Sequence, residues 1–345
     1  MESLRDFSVK ITDSEYHAHP AWCYSTIARY AKDGFQSIST LREPVKPTPS
    51  MEFGSLFDTI ITKGDTALDE YSICSITVPE AERKALDYIS SMTDKPRLDL
   101  GELPESQITA LCDACGYQTR WGYDARIRHL LPYSVYYDTK RTGKRIVSLD
   151  DWNDAIEMER ALRGNRHLAE LFGKEDTGDV EYIYQAKYIE DYMMDDGEVI
   201  NVKIMPDLVV VNHKEKTIQP VDLKTSVMPA YDWADNFIKY RYDLQAELYT
   251  DIIRLVANKS GDYDSYSILP YIFVDISRSD KVPVSWVYDP SNGFSYTRNG
   301  VEYRYKGWEE LLREIMSYER SGAVVPSHIK TDSPNDVVGV LSGTR

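Results

Sequence analysis

Apolar and polar residues alternate over residues 180–189, which puts Val180, Tyr182, Tyr184, Ala186 and Tyr188 on one face of an expected strand. Asp195-Asp196-Gly197 then signals a turn. Two β-branched stretches follow, 202–211 and 217–225, joined by the polar loop His213-Lys214-Glu215-Lys216, which has a common hairpin length. Residues 267–275 and 283–288 read as further strands, and Arg298-Asn299-Gly300 as another hairpin turn. Helical spacing predicts helices over 21–32, opened by Pro20 and stopped by Asp33-Gly34, and over 51–62, where Phe53, Phe57, Ile60 and Ile61 form an apolar stripe. Further helices are expected at 79–91, 104–115 and 120–130, and a long one runs from a cap at Ser148 or Asp150 to about Phe172-Gly173. Residues 43–50 hold three prolines and read as an extended connector, and 134–139 with 145–147 as a strand pair around Arg141-Thr142-Gly143. After residue 225 one helical stretch spans 231–258, and 308–319 forms a last helix before a polar tail.

Within this pattern Met205-Pro206-Asp207-Leu208 and Val221-Asp222-Leu223-Lys224-Thr225 stand apart. If Asn212 pairs with Thr217, the register sets Asp207 opposite Asp222, with Cβ atoms roughly 4.5–5.5 Å apart. Like charges so placed are destabilising unless something compensates them. A divalent cation such as Mg²⁺ or Mn²⁺, which takes hard oxygen ligands, would do so. Lys224 lies two residues beyond Asp222 and so faces the same side. The apolar residues around the acids mark strands at a sheet centre, where charged groups rarely lack a partner. Two solvated strand ends with a surface ion pair are the plainer reading of the same residues.

The 345 residues can hold one large domain or two modest ones, and 42% hydrophobic with 28% charged residues is globular composition. No apolar run approaches a membrane span and residues 1–13 lack a signal-peptide core, so a cytoplasmic protein without membrane association is expected. The four cysteines suggest no disulfide framework. Cys112-Asp113-Ala114-Cys115 has metal-ligand spacing but no second pair to complete a site. A net charge of −16 argues against a general nucleic-acid coat. It does not exclude a nuclease, because basic residues cluster locally: Arg120, Arg126 and Arg128; Lys140, Arg141, Lys144 and Arg145; Arg160, Arg163 and Arg166.

Asp207, Asp222-x-Lys224 and Gln245-Ala246-Glu247-Leu248-Tyr249 together resemble the PD-(D/E)XK nuclease superfamily. The Q-x-x-x-Y element is similar to that of the branch containing RecB-type nuclease domains, lambda exonuclease and exonuclease VIII (RecE). Gln245 and Tyr249, four apart, share one helix face. Glu15-Tyr16-His17-Ala18 and Gly54-Ser55-Leu56-Phe57-Asp58 resemble the same branch's N-terminal region, with Asp58 where members close to exonuclease VIII carry a histidine. The resemblance covers roughly residues 15–288.

The resemblance implies an α/β fold with a restriction-endonuclease-like core, a central mixed β-sheet flanked by helices. It divides the chain into a mainly helical region 1–147 that contributes Asp58, a nuclease core 148–320 and a polar tail 321–345. It implies Mg²⁺, with Mn²⁺ as a substitute, held by Asp58, Asp207, Asp222 and the Leu223 carbonyl. Asp207, Asp222, Lys224, Gln245 and Tyr249 would be catalytic, with Glu181 a further acid to consider. The implied activity is a DNA exonuclease acting 5′ to 3′ on double-stranded ends in phage-type recombination and leaving 5′-phosphates. DNA, a single-strand annealing protein and further copies of the same chain are the implied partners. An endonuclease or single-strand nuclease on the same core, and a catalytically silent DNA-binding or assembly module, remain open alternatives.

Overall fold

The computed structural model describes residues 2–92, 100, 103–133, 135–136, 139, 143–172, 175–298 and 301–321. In chain order the helices used below are α1 (Asp13–Ala18), α2 (Tyr24–Asp33), α3 (Pro49–Lys63), α4 (Glu80–Ser91), α5 (Glu105–Ala114), α6 (Tyr123–Leu130), α7 (Leu149–Gly164), α8 (Trp233–Tyr240), α9 (Tyr242–Ser260) and α10 (Trp308–Ser321). The strands are β1 (Tyr71–Cys74), β2 (Arg145–Ser148), β3 (Val180–Tyr184), β4 (Tyr188–Met193), β5 (Val199–Ile204), β6 (Leu208–Asn212), β7 (Thr217–Ser226), β8 (Ser267–Ile268), β9 (Tyr271–Ser277), β10 (Pro283–Tyr288), β11 (Ser295–Arg298) and β12 (Val301–Arg304).

Two compact units result, Met1–Met51 with Ala161–Arg345, and Glu52–Arg160. This differs from the expected division at 147/148. The first fifty residues belong with the sheet, because Leu4, Trp22, Ile27 and Tyr30 are buried in one cluster with Val202, Val209 and Val211. The expected tail, 321–345, lies outside the described residues beyond Ser321.

The first unit is α/β. Its mixed sheet runs β10-β9-β7-β6-β3, with the short β8 beside the start of β7. β6 and β7 are antiparallel in the anticipated register, from Asn212↔Thr217 to Leu208↔Val221. β7 and β9 are parallel, with Asp222↔Phe273 and Lys224↔Asp275. Strand β7 is thus paired on both edges, and its buried Val221, Asp222 and Leu223 match a central position. Helix α9 covers the sheet with Leu244, Leu248, Ile252 and Val256, packed in the same cluster as Val209, Val211 and Ile218. It ends at Gly261, whose φ of +70° suits a left-handed cap.

Several elements break where periodicity ran on. The alternating stretch 180–189 is two strands, because Gln185 is left-handed (φ +47°) and reverses the phase. Glu181 and Ile183 are buried before it, Ala186 and Tyr188 after it. The stretch 202–211 also divides: β5 pairs with β4, whereas β6 belongs to the main sheet. Pro206 lies between them and has no N–H to continue a ladder. Arg241, left-handed at φ +56°, separates α8 from α9.

In the second unit α4, α5 and α6 enclose Leu86, Ile89, Ile108, Cys112 and Leu130. Within the expected strand 134–139 the described residues Val135, Tyr136 and Thr139 are helical, and Thr139 Oγ1 donates to the Val135 carbonyl at 2.8 Å. Tyr136 packs on the helical cluster, and that burial outweighs its β-propensity. Strand β2 pairs in parallel with β1 instead. Helix α7 is capped by Ser148, whose Oγ accepts from Asp151 N at 3.0 Å, and stops at Gly164 rather than near Phe172. Among the described residues no helix is long and apolar enough to cross a membrane.

Candidate active site

The hairpin β6–β7 carries the two acids at its open end. Asp207 directly precedes β6, and its carbonyl accepts from the Gln185 amide at 3.1 Å. Its Oδ2 accepts from the Leu223 amide at 2.7 Å, so the side chain reaches across to β7 beside Asp222. Asp222 is only 2% exposed. Its Oδ1 accepts from Gln245 Nε2 at 2.5 Å, and its Oδ2 forms an ion pair with Lys224. Lys224 Nζ donates to Gln245 Oε1 at 3.1 Å. Gln245 is buried in the first turn of α9 and therefore ties helix to strand through both ends of one amide.

The lysine's surroundings decide its charge. Burial alone would lower its pKa, but Asp222, Tyr242 and Asp207 outweigh it and push the ammonium above the ordinary lysine value. The Nζ also lies 4.6 Å from the centroid of the Tyr242 ring and 5.9 Å from that of Phe273. Tyr249 and Tyr271 have phenols pushed well up, by burial first and then by neighbours that include Asp222 and Asp207, so both are neutral hydroxyls near the acids.

Asp207, Asp222, Leu223, Lys224 and Gln245 are thus brought into one network, with Tyr249 one helical turn beyond Gln245. Asp58 lies on α3 in the second unit. Glu181 is elsewhere: it pairs with Val211 in register and bonds Ser3 Oγ, with Arg5 and His213 at 3.9 and 3.8 Å. No protein-family model and no curated protein matches this chain.

Two groups near the network were not anticipated. Asp275 is wholly buried on β9 as the register partner of Lys224, and its Oδ2 accepts from Ser226 Oγ at 3.2 Å. Burial pushes its carboxyl up to about 7 against the opposing effect of Ser226. The available signal was an acid inside the apolar run Tyr271-Ile272-Phe273-Val274-Asp275-Ile276. Tyr242 gave no sequence signal, since an aromatic residue at a helix start is ordinary.

The basic clusters are in part structural. Arg126 is 1% exposed, ion-paired with Asp113 at 2.5 Å and bonded to the Gln118 and Thr109 carbonyls. Arg163 donates to the Phe172 carbonyl at 2.7 Å. Lys140 and Arg141 lie outside the described residues. Cys112 is a core residue with its thiol pushed up to about 11 by burial, and Cys115 Sγ donates to its carbonyl. Among the described residues no three His, Cys, Asp or Glu side chains gather as a metal-holding group, so the candidate rests on two carboxylates and backbone oxygen.

Proposed function

We propose that this chain is a Mg²⁺-dependent deoxyribonuclease with a restriction-endonuclease-like PD-(D/E)XK core. The observation that carries the reading is Gln245 bridging Asp222 and Lys224 while the Leu223 amide holds Asp207. Residues named from a sequence pattern, drawn from two strands and a helix, converge on one face. A structural ion pair alone needs neither Asp207 nor Gln245.

The donors suit a hard cation. Asp222 is buried and ion-paired with Lys224 through Oδ2, and Asp207 lies across the strand pair with its Oδ2 on the Leu223 amide. Asp207, Asp222 and the Leu223 carbonyl would hold Mg²⁺, or Mn²⁺ in its place. When bound, the cation would polarise the scissile phosphate and lower the pKa of a ligated water. Lys224 would orient or deprotonate that water, or donate to charge developing on a phosphate oxygen. Gln245 would orient both Asp222 and Lys224, and the Leu223 amide would fix the Asp207 rotamer. Hydrolysis would leave a 3′-hydroxyl and a 5′-phosphate.

The reading extends to a cytoplasmic exonuclease working 5′ to 3′ from double-stranded ends in phage-type recombination, as a homo-oligomer and beside an annealing protein. End-labelled linear DNA and covalently closed circles, incubated with and without Mg²⁺, test it. Progressive loss of linear DNA only with metal is the expected result. Cutting of closed circles would make it an endonuclease, and binding without hydrolysis a silent module.

A further inference from the structure

Tyr240 and Tyr242 flank Arg241, and their rings lie 5.7 Å apart at 35°. Residues two apart in a continuous helix point to nearly opposite sides. The left-handed Arg241 (φ +56°, ψ +49°) turns the chain so that both rings fall on one side. That conformation disfavours side-chain-bearing residues, and here it is held from several directions. Arg241 is buried, chelates Asp243 at 2.8–3.2 Å, donates to the Lys306 carbonyl at 2.7 Å and stacks on Tyr305 at 4.5 Å.

The inner ring is rigid. Tyr242 stacks on Trp233 at 5.6 Å and 11°, and on Phe273 at 5.6 Å and 30°, with the Lys224 ammonium 4.6 Å from its centroid. The outer ring is half-exposed: Tyr240 is 44% exposed, and the Lys239 ammonium, on a flexible side chain that a base could displace, lies over its face at 5.1 Å from the centroid. Tyr24 donates to the Tyr240 carbonyl at 2.6 Å, and its ring lies 6.3 Å from that of Tyr242. An aromatic row therefore leads from the Asp222–Lys224 pair to solvent and ends on a half-exposed ring with the Lys239 ammonium over its face.

We propose that Tyr240, backed by Tyr242 and Tyr24, is a stacking platform for an unpaired nucleobase next to the phosphate held at Lys224. The occupant follows from continuity with the site, and it rests on the nuclease reading for its substrate: a ring next to a phosphate-binding ammonium suits a nucleotide. Aromatic faces take any base and favour unstacked ones, so the platform selects single-stranded or frayed ends over closed duplex.

The probe is a short single-stranded oligonucleotide carrying 2-aminopurine at its end, mixed with the full chain in EDTA. Stacking predicts quenched fluorescence, binding weakened about tenfold in Tyr240→Leu, and binding kept in Tyr240→Phe. An abasic terminal nucleotide should erase the difference between wild type and Tyr240→Leu. Unchanged affinity in Tyr240→Leu, with the same unfolding midpoint as wild type, overturns the platform, as does an abasic end bound as tightly as a normal one. Quenching without Mg²⁺-dependent digestion overturns the nuclease reading and leaves the platform standing. Digestion with an unaltered KM in Tyr240→Leu does the reverse.

Discussion

The Gln245 amide donates to Asp222 Oδ1 at 2.5 Å and at the same time accepts from Lys224, the partner of Asp222 in a buried ion pair. One side chain therefore sets the geometry of both charges, and the predictions begin there.

Gln245→Ala leaves Asp222 Oδ1 buried without its donor. The expected cost is about 1–3 kcal/mol of stability, since the carboxylate keeps its desolvation penalty and loses the bond. Urea unfolding measures it. Gln245→Glu should be at least as damaging to DNA hydrolysis, because it sets a second carboxylate against Asp222. Wild-type digestion by Gln245→Glu would refute a positioning role.

Lys224→Met keeps the apolar stem and removes the ammonium. Loss of one donor to developing charge is expected to slow Mg²⁺-dependent digestion about 10²–10³-fold. Circular dichroism should stay that of the wild type. Undiminished digestion by this variant would remove Lys224 from the chemistry.

Mg²⁺ binding at Asp207 and Asp222 should stabilise the folded chain by about 2.7 kcal/mol at a hundredfold excess over its Kd. Thermal unfolding with and without the metal reads this independently of hydrolysis. Asp222→Asn retains an acceptor for Gln245 but should abolish the metal-dependent rise. A rise of wild-type size in Asp222→Asn would place the cation elsewhere.

Stability should fall as pH rises from about 4.5 to 7. Glu247, which accepts from the Trp308 amide at the start of α10, is pushed up to about 7 by burial and then by Asp243. Between its ordinary value of 4.5 and about 7 the folded chain holds a proton that the unfolded chain has released, so unfolding becomes easier with each step upward and levels off above 7. Asp275 acts in the same direction. Glu247→Gln should flatten part of the slope and be more stable than wild type at pH 8 by on the order of 1–2 kcal/mol. Urea midpoints at pH 5 and pH 8 decide, and identical slopes for the two proteins would contradict the prediction.

Arg241→Ala should cost about 3 kcal/mol or more, because Asp243, 1% exposed, loses its counter-charge. Arg241→Gly should be less harmful by about 1 kcal/mol, since glycine accepts the left-handed backbone. Equal losses would mean that the turn between α8 and α9 stores no conformational cost.

The chain alone determined those relations that follow from spacing along the backbone. The four-residue loop 213–216 set the β6–β7 register, the period of two put Asp222 and Lys224 on one side, and the period of 3.6 aligned Gln245 with Tyr249. Tertiary structure alone decided the rest. Gln185 and Arg241 are left-handed without being glycine, and nothing in their side chains announces it; bonds to partners such as Asp207, Asp243 and Lys306, set by packing, hold them there. Asp275 stands in register with Lys224, and Gln245 reaches Asp222, only because β9 and α9 fold onto β7, a match of buried surfaces from distant parts of the chain that no local period encodes.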